Sequence, residues 1–139
     1  MQGLQEIWGL NRKDYSWAAA GYLGAIESGQ TICGLLIGSS IAIGLRSGKG
    51  KDCLPLEDLA ERARAVKAVK SLYIDFIETF HSTECRTLTG CDFNHAEDTI
   101  RYIEEEVYNK KCFVFFNFVM NRFIGMEKES RRIKIKAGG

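Results

Sequence analysis

The sequence predicts an all-α fold: a single-domain helical bundle of about five to six helices around a central glycine-rich apolar helix. Three observations predict it. Only one proline, Pro55, occurs in 139 residues, whereas loop-rich and all-β chains are punctuated by that residue. Alternating β-branched runs are few, so strands lack their sequence signal. Apolar residues instead recur at intervals of three and four over long stretches, the spacing that gathers them on one helical face.

Each element follows in order. Leu4, Ile7, Trp8 and Leu10 give Met1 to Lys13 an amphipathic start. Asp14 is the expected N-cap of a helix from Tyr15 to Ser28, which Gly29 stops. Thr31 is expected to cap the run Ile32 to Leu45, apolar nearly all round and therefore the most buried helix. Arg46 to Asp52 reads as a flexible, basic surface connection. Pro55 suits a first turn, and Leu59, Ala63, Val66, Val69, Tyr73, Phe76 and Phe80 mark a helix from Leu56 to His81. Ser82 opens a short helix ending at Gly90. Asn94 with Glu97 forms a capping-box pattern before the stripe Ala96, Ile100, Ile103 and Val107. Asn109 is expected to cap a last helix, whose Phe113, Phe115, Phe116, Phe118, Met120 and Phe123 supply aromatic core. This divides the chain into a helical domain at 1–126 and a basic tail at 127–139 that frays.

Composition removes several function classes. Nineteen Lys and Arg against eighteen Asp and Glu leave a net charge of +1, so no whole-chain field favours nucleic acid. The run Ile32 to Leu45, interrupted by Ser39 and Ser40, is shorter than the roughly 18 to 20 residues a bilayer crossing needs. No cationic, apolar leader opens the sequence, which predicts a cytoplasmic, reducing setting. Glu104, Glu105 and Glu106 point around a helix without converging. Gly48-Lys49-Gly50-Lys51 lacks the order of a phosphate loop. His81 and His95 read as helix-end residues. Lys128, Arg131, Arg132, Lys134 and Lys136 read as part of the frayed end, so neither nucleic acid nor lipid is an expected partner. Nothing here specifies a substrate-processing enzyme.

The five cysteines carry the chemistry. Cys33, Cys53, Cys85, Cys91 and Cys112 include no C-x-x-C pair, so a local zinc site or thioredoxin-like motif is not encoded, and without C-x-x-C-H no covalent c-type haem is expected. Cys33 follows Thr31 by two, Cys85 follows Ser82 by three and Cys112 follows Asn109 by three. All three are thus expected in first turns, where free amides and the helix dipole lower a thiol's pKa. Gly34 and Gly38, four apart on one face, let a second backbone or a flat cofactor approach.

The run Cys33 to Gly38, Cys-Gly-Leu-Leu-Ile-Gly, followed by Ile41 to Leu45, resembles the Cys-Gly-Ala-x-x-Gly signature of the small redox-active proteins named for their C_GCAxxG_C_C pattern. Gly24 to Thr31 fits too. In that family a long helix and a phenylalanine-containing run lead to a further cysteine, as Phe76, Phe80 and Ser82 lead to Cys85, with Leu88 and Asp92 behind it. A last cysteine opens the closing helix, matching Cys112. The resemblance spans Ala20 to Met120, with Leu35 in place of the motif alanine and no cysteine upstream of Cys33. It implies an all-helical redox or metal-cluster protein.

The expected site is therefore Cys33, Cys85 and Cys112 as the redox thiols, with Gly34 and Gly38 beside a cofactor. Cys33, Cys85, Cys91 and Cys112 are the ligands of any iron–sulfur cluster or other metal. A redox partner protein is the expected partner. The alternative is a non-redox helical module, a homodimer through the Phe113 to Phe123 face or the glycine-rich helix, with cysteines as core filler.

Overall fold

A computed structural model describes residues 2–10, 17, 19–49 and 51–137, with side chains at 3–10, 17, 19–49 and 51–125. Among the described residues the chain is all-α. Its helices are α1 (Gln2–Trp8), α2 (Tyr22–Glu27), α3 (Gly34–Ser47), α4 (Leu59–Phe80), α5 (Cys85–Thr89), α6 (Ala96–Glu104) and α7 (Phe113–Ala137), with a π-helical turn at Tyr108–Cys112 leading into α7. The expected cap Asp14 lies outside the described residues, as does Gly50. No described helix is long and apolar enough to cross a membrane.

The glycine-rich α3 packs against α1, α2, α4 and α7. Small residues make that approach possible: Gly38, Ser39 and Ala42 are buried beside Leu36 and Ile43. The hydroxyls of Ser39 and Ser40 donate to the carbonyls of Leu35 and Leu36 at 2.6 and 2.8 Å, satisfying them inside the helix. From α4 come Leu72 and Phe76, both fully buried, and from α7 come Phe115, Val119 and Phe123. The rings of Phe76, Phe80, Phe115 and Phe118 meet at 4.7 to 5.8 Å in tilted or edge contacts, the geometry aromatic quadrupoles favour. Trp8 packs edge-on against Phe123 at 5.4 Å and takes the Arg46 guanidinium over its face at 4.6 Å, docking α1.

Several local expectations are corrected. Thr31 does not cap α3; Cys33 itself is the N-cap, with φ −50 and ψ 125. Asp58 caps α4 by accepting from the Glu61 amide at 3.0 Å, and Pro55 sits in the turn ahead of it. His81 ends that helix in the left-handed conformation at φ 60, a position glycine more often takes. Glu84, not Ser82, precedes α5, and His95, not Asn94, precedes α6. Of the α6 stripe, Ala96, Ile100 and Ile103 are exposed and only Val107 is buried. The tail is helical through Ala137, because its Glu, Lys and Arg content favours helix and no glycine or proline interrupts it before Gly138. The side chains of Lys128 to Lys136 lie outside the description.

Candidate functional site

The segment before α3 and the segment before α5 meet in a single antiparallel bridge between Ile32 and Glu84. The Cys33 amide donates to the Thr83 carbonyl at 2.7 Å and the Cys85 amide to the Thr31 carbonyl at 2.9 Å. Tyr22 of α2 secures the same crossing, its hydroxyl bonded to the Thr31 hydroxyl and to the Ile32 carbonyl. Alternation along an extended chain places Cys33 and Cys85 on the face opposite Ile32 and Glu84.

That face borders an open cavity of about 850 Å³. Cys33, Cys85 and Cys112 all line it, with Tyr102, Glu27 and the apolar side chains of Leu23, Ile103, Phe113 and Phe116 among the walls. Three of the expected redox residues, separated by most of the chain, are thus brought together. Cys33 is buried, while Cys85 and Cys112 are partly buried. Cys91 is also buried but does not line the cavity; its amide donates to the Thr89 hydroxyl at 3.1 Å, and that hydroxyl donates to the Cys85 carbonyl at 2.8 Å. Cys53 is exposed in the loop after α3. Among the described residues no group of three or more His, Cys, Asp or Glu side chains is placed to hold a single metal ion.

Electrostatics correct one expectation. Burial pushes the Cys33 thiol above its ordinary value of 9.0, although the Leu35 and Leu36 amides at the start of α3 favour its anion. Burial pushes Cys85 up to about 12, with the Cys33, Cys112 and Cys91 sulfurs adding like charge. Desolvation therefore outweighs the helix-start amides for Cys33, and at Cys85 burial and like charge both raise the thiol. Cys112 is placed differently from expectation as well: it ends the π-helical turn instead of sitting in a turn capped by Asn109. Glu106, left-handed at φ 53, makes the break between α6 and that turn.

Tyr102 was not singled out by the sequence. Its hydroxyl donates to Cys112 Sγ at 3.5 Å, and its ring packs edge-on against Phe93 at 5.0 Å. Burial, then the Cys112 sulfur, hold its phenol above the usual tyrosine range, so it stays a donor at neutral pH. Nothing local distinguishes Tyr102 from the other tyrosines; only the fold sets it against a thiol.

Gly34 lines the cavity and Gly38 does not. A Cβ at Gly34 would stand 3.1 Å from Ile26 Cδ1, so this glycine admits α2 against α3. Behind the bridge, Gly29 turns at φ +73, where a Cβ would fall 2.1 Å from Asp92 Oδ1. Asp92, buried, pairs with Arg86 at 2.9 Å and accepts from the Asn94 amide at 3.1 Å, fixing the loop that carries Phe93 into the cavity wall.

Residues 1–123 match a family model described as "Putative redox-active protein (C_GCAxxG_C_C)". No curated protein and no solved structure matches the chain.

Proposed function

We propose, on the premise that the chain belongs to the C_GCAxxG_C_C family of redox-active proteins, that Cys33, Cys85 and Cys112 form a dithiol–disulfide centre. The observation that carries this reading is the convergence of three thiols, distant in sequence, on one cavity. Cys112 is the attacking thiol, because it is partly exposed on the cavity and the Tyr102 hydroxyl donates to its sulfur. Cys85 is the resolving thiol, and Cys33, across the bridge, is the third sulfur to which the bond can pass.

With a small disulfide as oxidant, Cys112 Sγ attacks one of its sulfurs, forming a mixed disulfide and releasing the first thiolate. Cys85 Sγ then attacks Cys112 Sγ, closing an internal S–S bond and releasing the second. The two protons given up by Cys112 and Cys85 leave on the two released thiolates, so the protein loses two electrons and the oxidant gains them. The proton on Cys85 makes resolution faster as pH rises.

The test is anaerobic titration of fully reduced protein with a small disulfide, followed by thiol counting and peptide mapping. Two thiols are lost and the bond maps within Cys33, Cys85 and Cys112, while Cys53 stays free or forms only a mixed disulfide. Five native thiols that stay reduced with no internal bond would overturn the reading and leave a helical module with cysteines as packing.

A further inference from the structure

We infer that the cavity above the three thiols receives a neutral, planar, apolar electron acceptor of the quinone class. This rests on the redox reading above and names its oxidant. Its volume, about 850 Å³, falls within the range of cavities that enclose small organic ligands. Among its described lining residues there is no lysine or arginine, and Glu27 is the one charged side chain. Among the described residues, the cations adjacent in sequence to the lining are engaged elsewhere: Arg86 with Asp92 at 2.9 Å, Arg101 with Asp98 at 2.8 Å, Lys110 with the Glu105 carbonyl at 2.7 Å, and Lys111 with the Thr89 carbonyl at 2.9 Å. A flavin or nicotinamide nucleotide carries phosphates, which need cations or free helix-start amides. Here the first-turn amides of α3 lie against the Cys33 sulfur. A phosphate-free acceptor is what the walls suit.

Aromatic surface favours a flat occupant. Phe113 and Phe116 lie nearly parallel, 18° apart with centroids at 6.0 Å, and Tyr102 stands between Phe93 and Tyr108. At the mouth, Leu23, Ile103 and Phe113 are more than half exposed, at 60%, 62% and 53%. They form an apolar rim suited to a hydrocarbon tail.

The chemistry balances. The S–H bonds of Cys112 and Cys85 break and one S–S bond forms, giving up two electrons and two protons. The quinone takes both pairs, its two carbonyl oxygens becoming hydroxyls.

The experiment mixes anaerobic, fully reduced protein with a decyl-tailed benzoquinone substituted at every ring carbon, so that no position remains for sulfur addition. Hydroquinone is expected at up to one per chain, with saturation in quinone and loss of two thiols. Cys53→Ser, outside the cavity, leaves this unchanged. Ile103→Lys, which charges the rim at an exposed position, raises the half-saturating quinone concentration about tenfold; circular dichroism verifies its helix content. If a small disulfide oxidises the same thiols while the quinone does so without saturation, the acceptor class is wrong and the redox centre stands. If neither oxidises them, both readings fall. Wild-type half-saturation in Ile103→Lys would place the quinone outside this cavity and overturn the inference.

Discussion

Alkylation of Cys85 should be far slower in the folded chain than in the unfolded one, and the gap should close with alkali. Raising its thiol from 9.0 to about 12 reduces the thiolate about a thousandfold at neutral pH, a factor of ten for each unit. Only the thiolate reacts, so the native rate falls in proportion. The assay is iodoacetamide alkylation from pH 7 to 10.5, native and in denaturant, with Cys85 quantified by peptide mapping. Simple obstruction would lower the native rate by one factor at all pH values. A displaced titration instead lets the native rate climb tenfold per unit to the end of the range, while the denatured rate flattens above about pH 9. A native plateau below pH 9, or a native-to-denatured ratio that does not change with pH, would refute the reasoning.

Stability should follow the same titration. Cys33 and Cys85 are raised above 9.0 in the fold, so the unfolded chain releases their protons first; the stability is full below about pH 9 and is lost as pH rises toward 12. Denaturant midpoints should therefore fall above pH 9, less steeply in Cys85→Ser, and a flat profile would contradict the assignment. Tyr102→Phe removes the donor to Cys112 and should slow disulfide formation by about 2- to 12-fold, the equivalent of about 0.5–1.5 kcal/mol for one hydrogen bond; an unchanged rate would remove Tyr102 from the mechanism. Gly29→Ala places a Cβ 2.1 Å from Asp92 Oδ1 at a left-handed backbone and should cost about 1–3 kcal/mol in urea unfolding. A neutral substitution there would mean that the Asp92 loop yields freely.

Fold class was legible because its signals are local: the apolar period of Leu59 to Phe80, the single proline and the glycine stop at Gly29 all describe neighbours in sequence. The signature at Cys33 was legible for the same reason. Its surroundings were not. Thr31 has the chemistry of an N-cap, yet its carbonyl and hydroxyl are taken by Cys85 and Tyr22, so the start of α3 shifts to Cys33. Cys33, Cys85 and Cys112 do line one cavity, but first-turn position accounts only for the amides and not for how much water the fold removes. Phe113 and Phe116 read as core from their neighbours; exposed at the cavity mouth, they show that aromatic density alone does not say which side of a helix is covered.

The Ile32–Glu84 bridge also bears on the order of assembly. Two short extended segments separated by the whole of α3 and α4 must find one another, a closure whose entropy is recovered only after those helices pack. The thiol constellation is therefore expected to form late in folding, after those helices have packed. Its rupture should be slaved to the core's cooperative opening, so the Cys33 and Cys85 amides should exchange with solvent deuterons on the timescale of Leu72 and Phe76.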